Sequence, residues 1–256
     1  MKTSSSIFFI LVFALSVPFY ILGATGAQVP GMSFLPASAL MGFVPMIAAL
    51  VLTYRHYSSE GATAFLKSAF TFERNHGAIW ILIAILFMPI VFLLEFWILR
   101  LMGSSLPNPQ IAPVKALFFL VTFFIGAIGE ELGWQGYAYP ILRNNHTVLG
   151  SALMLGIVWA LWHVVPFVQM GRSSNWIIWQ VLSTIILRFI IVWLFENTNM
   201  SILIAVVFHT MINLTWALFP VAGSFYDPRV TFLILALPVG VIIAGLHHGK
   251  QFPPLR

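Results

Sequence analysis

Hydrophobic positions along the chain form long blocks that short polar segments separate. Each block holds about 20 apolar residues, the length of helix that crosses the hydrocarbon core of a bilayer. The blocks lie at residues 6–23, 36–54, 78–100, 113–135, 148–169, 176–196, 201–219 and 229–246. The separators carry glycine, proline or charge, and none is long enough to form a second domain. The pattern predicts an all-α polytopic membrane protein with about eight transmembrane helices in one domain, residues 1–256.

The composition excludes a soluble globular protein. Hydrophobic residues make up 60% of the 256 residues and charged residues only 7%, whereas a soluble domain has about 25% charged residues. The chain contains no cysteine, which excludes disulfide bonds, a thiolate nucleophile and cysteine-based metal sites. The net charge is +5, but the basic residues stand at the ends of the blocks. We therefore expect the lipid bilayer, and no nucleic acid, as a partner.

The basic residues also predict an orientation. With eight spans, both termini lie on one side of the membrane. That side would carry Lys2, Arg55, Lys67, Arg74, Arg143, Lys250 and Arg256, and the other side Arg100, Lys115, Arg172 and Arg229. The excess places both termini in the cytoplasm of an integral, multi-pass cell-membrane protein. A cleaved secretory signal within residues 1–27 stays open, because small residues at Ala24–Ala27 follow the first block.

Several ionisable residues lie inside the predicted spans, where each costs roughly 2.5–3.5 kcal/mol on insertion scales. They are Glu95, Glu130, Glu131, His163, Arg188, Glu196 and His209. Glu95 and Glu196 stand near the ends of their spans, where we expect them to reach the interface or to pair. The other five need a partner or a function.

Glu130 and Glu131 occupy the end of the fourth span. Consecutive helical residues point about 100° apart, so the two carboxylates are expected to have different roles. Glycines at 126, 129, 133 and 136 form a smooth stripe where another helix can approach closely. This stripe is typical of ordinary helix packing, and it places Glu130 at the edge of a tight interface, away from lipid.

Two histidines on later spans carry further candidate chemistry. Pro166 cannot donate to the carbonyl of Trp162, so we expect a kink one turn after His163 and a polar partner or water at that carbonyl. His209 and Asn213 are four residues apart and share a helix face. Such a pair can also be a simple polar seam between helices. Two carboxylates, two histidines and an asparagine together predict a buried, water-activating site between spans four, five and seven.

At these residues the chain resembles the CPBP family of intramembrane proteases, also called the Abi or type II CAAX prenyl protease family. The family's Glu-Glu-x-x-x-Arg is similar to Glu130–Gln135, and its aromatic-x-x-x-His to Trp159–His163. Its His-x-x-x-Asn/Asp is similar to His209–Asn213. The resemblance covers the motif-bearing core, residues 113–219, and rests on the order and spacing of the three motifs.

One position departs from the family pattern. Gln135 stands where the family usually has arginine, so it brings a hydrogen-bond donor to Glu131 but no charge. Arg188 lies midway along the sixth span, where an unpaired guanidinium would be costly. We therefore expect Arg188 to pair with Glu131 or Glu130.

The resemblance implies an endopeptidase mechanism. Glu130 and His163 would hold and deprotonate a water molecule, and His209 with Asn213 would stabilise the oxyanion. Glu131 would orient these groups, supported by Gln135, Arg188 and Trp159. The cofactor prediction is either none or one divalent metal such as zinc, which Glu130, His163 and His209 would bind in a metalloprotease.

The resemblance also implies a membrane-associated protein or peptide as substrate, prenylated or not. One alternative is a non-catalytic scaffold or bacteriocin self-immunity protein of the same family, which the departure at Gln135 keeps open. Another is a secondary transporter, which would predict repeated halves with broken helices. We see no such symmetry in the sequence.

Overall fold

Apolar helices make up most of the molecule, as the sequence predicts. The computed structural model describes residues 4–71 and 78–248. The helices are α1 (Ser5–Ala24), α2 (Val44–Ser68), α3 (Ala78–Leu101), α4 (Pro113–Glu131), α5 (Tyr139–Arg143), α6 (Val148–Trp162), α7 (Val164–Gln169), α8 (Ser174–Asn197), α9 (Ile202–Leu218), α10 (Pro220–Gly223) and α11 (Pro228–His248). The all-α membrane fold is confirmed, and its helices carry the chemistry described below.

The structure contains one small sheet that the sequence analysis did not predict. Strands β1 (Gln28–Val29) and β2 (Met32–Pro36) form an antiparallel hairpin after α1. Gly31 turns the chain between them with φ of 77°, a conformation that favours glycine. A 3-10 helix, Ala37–Phe43, then leads directly into α2. Strands this short leave no readable alternation of apolar and polar residues.

Within the described residues, seven helical segments are long and apolar enough to cross a membrane, one fewer than the eight predicted. The difference is α9, whose 17 residues are shorter than the others. At 1.5 Å per residue, α9 extends roughly 25 Å, against a hydrocarbon core of about 30 Å. Its start and end nevertheless reach opposite ends of the helix bundle.

Contacts at the two ends of α9 establish this placement. Just before α9, the hydroxyl of Ser201 donates to the carbonyl of Thr71, which follows α2. Just after α9, the ring of Phe219 packs against Phe92 and Phe96 in the second half of α3. α9 therefore runs through the bundle in the same direction as α3, and the shorter helix is sufficient because other helices surround it.

Two glycines of the predicted stripe allow the close approach of another segment: Gly129 in α4 meets the end of the 3-10 helix, and Gly133 just after α4 meets the start of α2. A Cβ atom at Gly133 would lie 2.4–2.5 Å from Pro45, and one at Gly129 would lie 2.7 Å from the carbonyl oxygen of Gly42. After Glu131 the chain continues as a π-helix, Leu132–Ala138, before α5. π-helical turns are rare and occur often at functional sites.

The two glutamates expected near the membrane interface have different environments. Glu196 accepts a hydrogen bond from the hydroxyl of Tyr139 and lies 3.4 Å from Arg143, a pair of the kind expected. Glu95 does not extend to solvent and is enclosed by the protein. It is fully buried, where it accepts from the backbone N–H of Asp227 at 2.8 Å and from the hydroxyl of Thr231.

Candidate active site

The predicted polar residues converge around one cavity from α4, from α9 and from the junction between α6 and α7. Glu130 and Glu131 end α4, His163 separates α6 from α7, and His209 and Asn213 lie on α9. The cavity has a volume of about 240 Å³, and Glu130, His163, His209 and Asn213 line it. Glu131 lies behind this lining and is completely buried. The fold thus brings together residues that are up to 83 positions apart in sequence, from Glu130 to Asn213.

Glu130 is the carboxylate that faces the cavity. Its Oε2 atom accepts a hydrogen bond of 2.7 Å from the indole N–H of Trp159. The same oxygen lies 4.0 Å from Nε2 of His163, and Oε1 lies 3.9 Å from Nε2 of His209. These separations exceed a direct hydrogen bond, and they leave room for a small molecule that bonds to both partners.

Glu131 forms a buried charged network. Its Oε2 accepts from Nη1 of Arg188 at 2.8 Å, and its Oε1 lies 2.8 Å from Nδ1 of His209. The pairing of Arg188 with Glu131 that the sequence led us to expect is present. The guanidinium also lies 4.0 Å from the centre of the Trp159 ring, a distance typical of a cation–π contact. Arg188 therefore contacts both Glu131 and the tryptophan that binds Glu130.

The two adjacent glutamates meet the same imidazole from opposite sides. Glu131 binds Nδ1 of His209, and Glu130 faces Nε2 of that ring. Consecutive residues of a helix point about 100° apart. They can address one side chain because its two nitrogen atoms lie on different edges of the ring.

The helix breaks at His163 itself, and not one turn later. α6 ends at Trp162 and α7 begins at Val164. The carbonyl of Trp162 accepts a hydrogen bond of 2.8 Å from the hydroxyl of Tyr20 on α1. The hydroxyl of Tyr20 is therefore the polar partner of this carbonyl, to which Pro166 cannot donate. Tyr20 lies 142 positions away, so no local pattern in the sequence could have identified it.

The orientation of the His163 ring follows from this break. Its Nδ1 atom lies 2.8 Å from the carbonyl oxygen of Trp159, which can only accept. Nδ1 therefore carries a proton and donates it to that carbonyl. In the neutral ring this leaves Nε2 without a proton, and Nε2 is the atom that faces Glu130.

The expected bond between Gln135 and Glu131 is absent. The side chain of Gln135 is fully buried, and neither its amide oxygen nor its nitrogen has a hydrogen-bond partner among the described residues. The π-helix supplies the physical reason. Its hydrogen bonds join residues five apart, so a side chain four residues after Glu131 no longer lies directly over it. Arg188 occupies the position beside Glu131 instead.

The donor atoms at the site are too far apart to bind one metal ion together. In residues 4–71 and 78–248, no group of three or more His, Asp or Glu side chains is arranged to hold one. One carboxylate and two imidazoles suit zinc chemically, but two ligands of a tetrahedral zinc ion lie only about 3.3–3.4 Å apart. The separations of 3.9 and 4.0 Å between Glu130 and the two Nε2 atoms are wider. The residues as arranged do not fit the ion.

Some residues that line the cavity were not singled out from the sequence. Gln180 and Thr184 on α8 line it, together with Tyr226 in the loop before α11. Gln180, Thr184 and Arg188 recur every four residues along α8, which places them on one face. That spacing is the signal that could have identified them.

Comparisons with known proteins agree with this site. Residues 112–215 match the family model described as type II CAAX prenyl endopeptidase Rce1-like. The chain is also 27% identical to CAAX prenyl protease 2 of Methanococcus maripaludis, over 92% of this chain and 93% of that protein. The resemblance inferred from the three motifs is confirmed. The match and the relative support an intramembrane endopeptidase.

Proposed function

We propose that this protein hydrolyses a peptide bond inside the membrane by a glutamate-activated water, a function that the match of residues 112–215 to the model of Rce1-like type II CAAX prenyl endopeptidases supports. One observation carries the proposal. A cavity-facing carboxylate, Glu130, stands between the Nε2 atoms of His163 and His209 at 4.0 and 3.9 Å. Carboxylate and imidazole side chains placed in this way are typical of general base catalysis.

In the proposed reaction, Glu130 and His163 bind the attacking water. A water about 2.8 Å from each could bridge the 4.0 Å between them. Trp159 holds one oxygen of Glu130, and the carbonyl of Trp159 holds the ring of His163. Both partners are thereby fixed before substrate arrives. The proton that leaves the water passes to Glu130, which then returns it to the leaving amine.

His209 and Asn213 are proposed to stabilise the oxyanion. His209 donates from Nε2 only when its ring carries two protons. In this scheme the ring is doubly protonated, because Nδ1 donates one proton to the Glu131 carboxylate and Nε2 carries the other. Arg188 keeps Glu131 ionised by pairing with its other oxygen. Glu131 and Arg188 are therefore positioning residues, and neither contacts the substrate in this scheme.

The proposed substrate is a membrane-associated peptide. The relative from Methanococcus maripaludis is named CAAX prenyl protease 2. We propose that the substrate of this protein also carries a prenyl group. The cavity accepts an apolar chain, because Met32, Leu35, Leu40 and Phe123 line one of its walls.

Glu130→Gln tests the proposal. We expect the substitution to lower kcat by roughly 10²- to 10⁴-fold, because it removes the proposed base while preserving volume. Cleavage of prenylated and unprenylated peptides by purified protein, followed by mass spectrometry, measures this loss. The exposed Glu60→Gln is the matched control and should cleave like the parent.

Equal cleavage by Glu130→Gln and the parent would contradict the proposal. Cleavage by neither protein, with an unchanged cellular phenotype in Glu130→Gln, would support the non-catalytic scaffold instead.

A further inference from the structure

The polar face of α8 leads from the proposed catalytic groups along the cavity. Arg188 lies at their level, because it stacks on Trp159, which binds Glu130. Thr184 and Gln180 follow at intervals of one turn and line the cavity. Eight residues of helix separate Gln180 from Arg188, which corresponds to roughly 12 Å along the axis. An extended peptide covers that distance in three to four residues.

Gln180 is held in one orientation. Its amide oxygen accepts a hydrogen bond of 3.0 Å from the hydroxyl of Tyr226. The indole N–H of Trp176 in turn lies 3.5 Å from the carbonyl of Tyr226, which ties the loop before α11 to the same helix. The amide nitrogen of Gln180 has no acceptor in the part of the chain that the structure describes, so both of its N–H groups can donate.

The neighbouring hydroxyl groups cannot serve as donors to a ligand in the same way. Thr184 donates to the backbone carbonyl of Gln180 at 2.8 Å, and Thr231 donates to the buried Glu95. The end of the cavity at Gln180 thus offers neutral N–H donors, which suit an acceptor oxygen and not a cation.

We propose that Gln180 binds an acceptor oxygen of the substrate peptide, three to four residues from the cleaved bond. That oxygen belongs either to a backbone carbonyl or to the terminal carboxylate. The inference rests on the proposed function, since it takes the cleaved bond to lie at Glu130. Gln180 then determines how many residues beyond the cleaved bond a peptide needs for full affinity.

The test uses peptides that share the cleaved bond and extend one to five residues beyond it on either side. Each peptide is made with a free and with an amidated C-terminus. We expect Gln180→Met to raise KM by roughly 3- to 10-fold, the effect of one lost hydrogen bond, only for peptides long enough to reach it. The value of kcat should stay within about twofold of the parent.

Two variants accompany Gln180→Met. Tyr226→Phe releases the amide without removing it, and should raise KM for the same long peptides by a smaller factor. Gln110→Met replaces an exposed glutamine in the loop after α3 and should change neither constant. If amidation of the peptide abolishes the effect of Gln180→Met on KM, the acceptor is the terminal carboxylate. If the effect persists, the acceptor is a backbone carbonyl.

If Gln180→Met changes KM equally for short and long peptides, or does not change it, the inference about Gln180 is overturned. Cleavage of the same peptides by the parent would still uphold the proposed function. Binding of the same peptides to Glu130→Gln provides a readout without cleavage. If the parent protein cleaves no peptide, but binds long peptides more tightly than short ones and Gln180→Met weakens that binding, the binding site is upheld and only the proteolytic function is overturned.

Discussion

The sequence alone shows that Arg188 needs a partner, although it does not show which one. An arginine midway along an apolar helix needs a counter-charge, and the sequence offered only Glu130 and Glu131 at comparable depth. The structure places the guanidinium on Glu131, fully buried at 2.8 Å. Which of the two glutamates it contacts depends on the rotation of α4 relative to α8, and a single sequence does not contain that angle.

Arg188→Gln should be strongly destabilising. It leaves the Glu131 carboxylate buried beside His209 without its charge partner, a loss of about 3–5 kcal/mol in comparable buried pairs. Thermal unfolding in detergent and peptide cleavage measure the two effects. Arg229→Gln removes an exposed pair with Asp227 and should cost less than about 1 kcal/mol. An Arg188→Gln protein as stable and active as the parent would contradict the role of this pair.

Removal of divalent metal should leave peptide cleavage unchanged. Glu130 lies 4.0 and 3.9 Å from the two histidine nitrogens, wider than the ligands of one zinc ion. Cleavage rates after dialysis against a chelator, with and without zinc added back, provide the measurement. Loss of activity that zinc restores would replace the glutamate mechanism with a metal-dependent one.

At the scale of the elements, α4 combines packing and chemistry in a few turns. Gly129 in α4 and Gly133 in the π-helix that follows let the 3-10 helix and the start of α2 approach, and the same π-helix moves Gln135 away from Glu131. The glycine spacing is visible in the sequence, so the close packing was predictable. The π-helix was not, because no residue type marks it as proline marks a kink.

Gly133→Ala should destabilise the protein by about 1–3 kcal/mol, since the new methyl group would lie 2.4–2.5 Å from Pro45. Thermal unfolding of the purified protein detects the change. Gly126→Ala is the matched control on the same stripe, because nothing lies within 4 Å of its Cβ position. Equal stability of the two variants would show that α2 does not pack on this glycine face.

For the whole molecule, the order of the helices places the loops on two faces. Residues 102–112, 170–173 and 224–227 meet around a second cavity, which Ser104, Ser173 and Asp227 line. Thr71 and Ser201 meet at the opposite face. This alternation agrees with eight crossings, including α9. The assignment of faces to cell compartments stays a prediction from charge, and Lys2, Arg74, Lys250 and Arg256 lie outside the described residues.

Single cysteines can test that assignment cleanly, because the chain has none of its own. We expect an impermeant maleimide added to intact cells to label Ser105→Cys but not Asn145→Cys or Ser59→Cys. All three positions are exposed. The excess of basic residues predicted on the face of Asn145 is the physical reason. Labelling in the reverse pattern would place the termini outside the cytoplasm.

The sequence alone determined the membrane location, the apolar segments and the residues of the candidate site. These properties are local: hydrophobicity is summed along one segment, and a buried charge is costly wherever its helix packs. The tertiary structure decided the partner of Arg188, the loss of the Gln135 contact, the bond from Tyr20 and the path of the short α9 through the bundle. Each of these depends on the distance and rotation between helices, which arise from side-chain packing between segments far apart in the chain.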